Sequence, residues 1–170
     1  EHALSSGGDA LAAAYVEYAA NPFAPVEGSF YAATLHDDGA YRRLSRLVDL
    51  TSAVGPATLE FQLSYDTELG YDSVVIEAHD LTTGTWTTLP DRNGGTTTDV
   101  PTECEVGFLI EQHPFLTNYL TPGEPCTPIG ATGGAWNAFT GTSQGWQEVA
   151  VDLSAYVGKQ VEVSITYVTD

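Results

Sequence analysis

The sequence predicts an all-β domain built from two packed sheets. Error-free apolar–polar alternation in the longest apolar stretches, and short strands punctuated by Gly, Pro, Asn and Asp turns, both point there. About seven such strands can be read, the number expected of a two-sheet sandwich. No repeat of the length that marks solenoids or propellers is visible. At 170 residues the chain forms one domain, long enough to bury roughly 70% of the surface that its unfolded chain exposes.

Residues 1–27 differ from the rest. Asp9 to Ala20 has helix-forming composition, with Leu11, Tyr15 and Tyr18 on one stripe and Asn21-Pro22 ending it. A short helix and an extended linker are equally compatible with this stretch, which leads into a domain over 28–170. Ser29 to Leu35 reads as a strand and His36-Asp37-Asp38-Gly39 as a turn. Arg42 to Leu50 follows with Leu44, Val48 and Leu50 on one face. Arg46 shares that face, which calls for a bulge, a paired arginine or a wet strand end.

The central unit reads as a hairpin over Ala57 to Asp80. Leu59, Phe61, Leu63 and Tyr65 line one face of its first arm. In the second arm Val74, Ile76 and Ala78 lie opposite Val75, Glu77 and His79. Thr83-Gly84 then turns the chain into Thr85 to Leu89, ended by Pro90. Residues 91–135 form a long excursion that must be pinned or functional. Apolar Val106 to Leu120 predicts one or two helical turns, with Pro114 opening the second. Trp146 to Leu153, the turn Ser154 to Lys159, and a last strand Gln160 to Thr169 with Val161, Val163, Ile165 and Tyr167 inward complete the domain.

Charge narrows the partners. Charged residues are 16% of the chain, but 23 acids face 5 bases, a net charge of −18. That field repels nucleic acid and anionic membranes, and it favours solubility and hard cations such as calcium. Salt adaptation would give the same sign, although the modest total charge weighs against it. Cys104 and Cys126 lie in one Pro- and Thr-rich stretch without the further Cys or His ligands a zinc site needs. They read as a disulfide and so as a secreted, extracellular chain. No run of about 18 apolar residues encodes a membrane span. The absence of an initiating Met fits a processed or excised piece.

Catalytic patterns are not assembled. His2, His36, His79 and His113 are scattered, and none is followed at metal-ligand spacing by a glutamate. Gly141-Thr142-Ser143-Gln144-Gly145 matches a nucleophile pattern, but a strand follows it where a helix is required. The densest carboxylate group is Asp66, Glu68 and Asp72, with Gly70 allowing a tight bend. It could supply about half of a calcium shell, or be a solvated loop tip. A second cation position would lie between Glu27, Asp37-Asp38 and Asp170. Trp86, Trp136 and Tyr71 are candidates for stacking on sugars if they share an exposed face; Trp146, at a strand start, reads as core.

Four stretches carry a resemblance. The segment from Tyr41 to Thr51 is one, and Ser64-Tyr65-Asp66 with Val75 to His79 is another. His113-Pro114-Phe115-Leu116 in its cysteine-bounded loop and Gly145-Trp146-Gln147 with Val151 to Ile165 complete the set. Over about residues 23–170 they resemble the C-terminal jelly-roll module of secreted actinobacterial zinc carboxypeptidases, large relatives of the carboxypeptidase A and T metallopeptidases. Immune-inhibitor-A-type peptidases carry more loosely similar patterns. The resemblance implies a non-catalytic accessory domain that stabilises or targets a parent peptidase, holds no zinc, and partners the parent's catalytic domain. A carbohydrate- or cell-surface-binding module, touching polysaccharide or a surface protein, is the alternative. Two departures stand out: Gly107-Phe108 replaces an aromatic Gly-Trp step, and the chain stops at Thr169-Asp170 where relatives continue into a further strand. The second means either that a final strand has been cut away or that an unpaired C-terminal edge is filled by a neighbour, through self-association.

Overall fold

The computed structural model describes residues 24–130 and 135–170. The helix-or-linker stretch over Asp9 to Ala20 lies outside them. Strands dominate: β1 (Tyr41–Asp49), β2 (Thr58–Leu63), β3 (Ser73–Asp80), β4 (Thr85–Thr88), β5 (Leu120–Thr121), β6 (Thr127–Pro128), β7 (Ala138–Phe139), β8 (Gln147–Asp152) and β9 (Gln160–Val168). One short helix, α1 (Phe108–Gln112), and three 3₁₀ turns join them. No described helix is long and apolar enough to cross a membrane.

All pairing is antiparallel. β1, β9, β3 and β4 form the large sheet in that order, with β7 sharing the far edge of β3; β2 and β8 form a separate ribbon. The two share one core. Val74, Ile76 and Ala78 of β3 and Val161 and Val163 of β9 meet Val149 and Val151 of β8, with Leu59, Phe61 and Leu63 of β2 packed against them. The period-two pattern of each strand therefore buries one face between the sheets.

The arms of the expected Ala57–Asp80 hairpin do not pair with each other. β2 pairs β8, with Phe61 opposite Val149, whereas β3 pairs β9, with Ile76 opposite Ile165. Alternation says that an arm has an apolar face, and not whether that face lies beside or across from its neighbour's. Here the connection crosses the core, so the two apolar faces bury each other. The strand expected over Ser29 to Leu35 is also missing: residues 29–35 run irregularly and mostly exposed, without a ladder partner, and the Arg42 guanidinium reaches the Thr34 hydroxyl and the Leu35 carbonyl. β9 is no edge, because β1 and β3 flank it along its length. The self-association expected through a C-terminal edge has no free edge there.

The excursion becomes a third layer on the outer face of the large sheet. Leu109, Ile110, Leu116, Tyr119, Leu120 and Trp136 pack with Val75, Ala138 and Val168. As expected, Cys104 and Cys126 are bonded, and they are buried in this cluster with their Cα atoms 4.8 Å apart. Gly107, at φ 74°, takes the left-handed turn between the first 3₁₀ turn and α1, a conformation that disfavours any side chain. Pro114 opens the next 3₁₀ turn, where its missing N–H costs nothing.

Closing the loop between residues 22 apart in sequence restricts the unfolded chain; replacing both cysteines by alanine is expected to cost about 3 kcal/mol in urea unfolding. A loss below about 1 kcal/mol would mean that packing alone holds the layer.

Candidate functional site

The structure separates the carboxylates that the sequence grouped. Tyr71 and Asp72 N–H groups both donate to the Glu68 carbonyl (3.1 and 3.0 Å), with Gly70 at φ 79°, so the loop folds back on itself. This brings Glu68 beside Asp72, whose buried Oδ2 accepts the Tyr167 hydroxyl (3.1 Å) and lies 3.4 Å from the Glu68 N–H. Asp66 instead bridges its backbone to Thr142 and leaves its side chain in solvent. Among the described residues no three His, Cys, Asp or Glu side chains stand together as a metal shell requires. The second expected cation position is dispersed as well: Asp37 pairs with Arg42, His36 lies 3.7 Å from Asp38, and Glu27 lines a groove described below.

The aromatic candidates are redistributed. Trp136 is fully buried in the outer cluster, its Nε1–H donating to the Asp99 carbonyl (2.9 Å), so it cannot stack on an external ligand. Trp86 has its ring stacked on His79 at 4.2 Å, with Arg43 at 4.7 Å and the edge of Phe115 at 4.9 Å. Its stacking is internal. Tyr71 is exposed. Trp146, read as core from its place at a strand start, lies half-buried on the outer side of the ribbon instead. Its Nε1–H donates to the Ala24 carbonyl (2.8 Å), and Tyr31 meets it edge-on at 5.2 Å. Strand parity explains this: Val149 and Val151 point inward, so Trp146 and Glu148 point out.

An open groove of about 390 Å³ follows from that arrangement. Its floor is the outer face of the ribbon, with Glu60, Gln62 and Glu148, and its rim is the segment from Pro25 to Tyr31, with Trp146 closing one side. Carboxylate and amide acceptors thus lie beside Phe30, Tyr31 and Trp146. That combination suits a ligand with hydroxyl donors and an apolar face, as a sugar has. Sequence reading missed it because residues 24–28 carry no periodic signal and residues 29–31 read as the start of a strand that does not form.

Elsewhere, buried charge is structural. Glu77 is completely buried. Its Oε1 accepts Tyr41 Oη–H (2.6 Å), Tyr119 Oη–H (2.8 Å) and Arg43 Nη2–H (3.0 Å); its Oε2 accepts Arg43 Nε–H (2.5 Å) and Thr166 Oγ1–H (2.6 Å). Burial would raise its pKa, but the hydrogen bonds from Arg43, Thr166 and Tyr41 and the Arg43 charge prevail and hold it below the usual range. With both oxygens saturated it cannot act as a base. Asp91 takes the Ala150, Asn93 and Gly95 N–H groups (3.0, 3.1 and 3.0 Å) and so covers the outer edge of β8. Lys159, through its ammonium hydrogen bond, and the Thr82 and Thr83 N–H groups hold Asp80 down to about 2 against the opposing effect of burial. Ser143, of the nucleophile-like pattern, accepts the Tyr65 N–H and lies 2.7 Å from the Gly145 carbonyl, pinning the loop.

Glu103 behaves oppositely. Burial raises its carboxyl, a hydrogen bond from its own backbone N–H opposes this, and the charges of Asp170, Asp72 and Glu68 add to the rise. Compared with known protein families and with curated proteins, the chain matches none.

Burial, with the neighbouring Glu77 charge, raises the Tyr41 and Tyr119 hydroxyls far above their ordinary range; burial, with Asp72, does the same to Tyr167. A raised tyrosine pKa contributes stability below about pH 10 that is lost as pH rises further. In an alkaline titration followed by tyrosinate absorbance, Tyr41, Tyr119 and Tyr167 should ionise only as the chain unfolds. All nine tyrosines titrating together with the fold intact would contradict the geometry.

Proposed function

We propose that the chain is a non-catalytic jelly-roll β-sandwich acting by contact outside the cell, as the accessory module of a secreted zinc carboxypeptidase. Successive strands support the topology: β1, β3 and β9 lie in the large sheet, while β2 and β8, between them in sequence, lie in the ribbon. The disulfide supports an oxidising compartment. The observation that carries the non-catalytic reading is the use made of buried charge: Glu77, Asp91 and Asp80 are each committed to holding strands and loops in place. The module then stabilises or targets its parent peptidase, with the parent's catalytic domain as partner.

The groove favours a second reading, recognition of carbohydrate at a cell surface. Its aromatic side and its acceptor groups match the two faces of a sugar ring. Both readings are measurable. The purified chain, with or without added zinc, should hydrolyse no peptide or ester carboxypeptidase substrate; turnover that follows the protein through purification would refute the non-catalytic reading. Retention on cell-wall polysaccharides tests the second. Trp146→Ala should lower it about tenfold or more while leaving the circular-dichroism spectrum unchanged. Equal retention of the variant would remove the groove from consideration.

A further inference from the structure

The groove on the outer face of the ribbon carries charge of one sign. Glu60 of β2 and Glu148 of β8 stand in its floor and Glu27 in its rim, and no Lys, Arg or His among the described residues lines it. All three carboxylates are exposed, and none has a hydrogen bond or ion pair with another described residue. The same face answers its other acid locally. Asp152 accepts the Ser154 N–H (2.8 Å), and Arg92 reaches the hydroxyl of Thr58, which lies opposite Asp152 in the ladder (3.4 Å). The register sets Glu148 opposite Gln62, with Glu60 one outward position further along β2. The three carboxylates do not close on one point as a metal shell requires. They suit positive charges spread along a ligand. Beside them the Tyr31 and Trp146 rings meet at 83° to form a corner, and Phe30, 75% exposed, continues the aromatic rim.

Covering three carboxylates with a neutral ligand strips their water and returns nothing, and an anionic ligand is repelled. A ligand that pairs an apolar ring face with positive charge satisfies both sides of the groove. Taking the groove as the sugar site of the second reading above, we propose that its ligand is an amino-sugar polymer with free, protonated amines. The C–H face of a sugar ring stacks on the aromatic corner, the ammonium groups meet Glu60, Glu148 and Glu27, and Gln62 serves the hydroxyls. A basic peptide carries the same charge, but the floor is the face of a sheet. It offers side chains where an extended peptide needs the backbone groups of an edge.

The test is calorimetric titration of the whole chain with a soluble glucosamine oligomer and with its N-acetylated counterpart, at a pH where the free amines are charged. The proteins are the wild type, Glu60→Gln/Glu148→Gln, Trp146→Ala and Glu105→Gln, whose exposed glutamate lies in the 3₁₀ turn Thr102–Val106 of the outer layer. The wild type should bind the glucosamine oligomer about tenfold or more tighter than the N-acetylated one, a preference that shrinks as salt is raised. Glu60→Gln/Glu148→Gln should lose that preference and keep its affinity for the N-acetylated oligomer. Trp146→Ala should weaken both, and Glu105→Gln neither. Equal affinity of the wild type for the two oligomers, lowered by Trp146→Ala, would keep the groove as a sugar site and overturn the amine. No binding of either oligomer, with no retention on neutral polysaccharides, would remove the sugar site itself. A lysine oligomer bound as tightly as the glucosamine oligomer, or an equal loss in Glu105→Gln, would assign the binding to the overall charge of −18 and overturn the proposal too.

Discussion

The outer layer is tied to the large sheet through the buried carboxylate of Glu77. It lies on the outer face of β3, the face opposite Ile76 and the core. It gathers Tyr41 and Arg43 from β1, Thr166 from β9 and Tyr119 from the disulfide-bounded layer. A lone charge in that position would cost several kcal/mol, and with its partners removed the strand would be better off with an apolar residue. Once built, however, the network specifies register. A one-residue slip of β1 against β9 would turn Tyr41 and Arg43 to the core side and leave the carboxylate unpaired. The guanidinium is itself enclosed, with Phe115 at 4.0 Å, Trp86 at 4.7 Å and Tyr41 at 4.9 Å from its carbon. The outer layer is thereby fastened to the sheet by charge, and Cys104–Cys126 closes the layer on itself.

This arrangement decides which surfaces remain for contact. One face of the large sheet is buried against the ribbon and the other beneath the outer layer, so neither offers the open platform on which many sandwich modules bind their ligands. The outer face of the ribbon stays accessible, and residues 24–31 convert it into a walled groove. The edge of β8 is closed by Asp91.

Much of the architecture could be read from sequence. Residue patterning located the six longer strands from Tyr41 onward to within a residue or two, though not the two-residue strands β5, β6 and β7; Pro114 marked a helical turn, and the paired cysteines marked the pinned excursion. Pairing was less legible, because an apolar face does not name its partner: Phe61 would bury as well beside Ile76 as across from it. The two-sided burial of β3 was hidden in plain view, since Glu77 alternates like a wet residue and only Tyr41, Arg43 and Thr166, distant in sequence, make it a buried one. Tryptophan position misled in both directions. Trp136, in a polar loop, is buried, and Trp146, at the mouth of an apolar strand, is not.

The most direct test of the account is a double-mutant cycle between Glu77→Gln and Tyr119→Phe, read by urea unfolding. If the carboxylate holds the outer layer to the sheet, Glu77→Gln should cost about 3 kcal/mol and leave Arg43 without its counter-charge. The two changes together should fall short of the sum of their separate costs by about 1 kcal/mol or more. Additive losses, or a Glu77→Gln protein as stable as the wild type, would show that the layer is held by apolar packing and the disulfide, with Glu77 a passenger in the sheet.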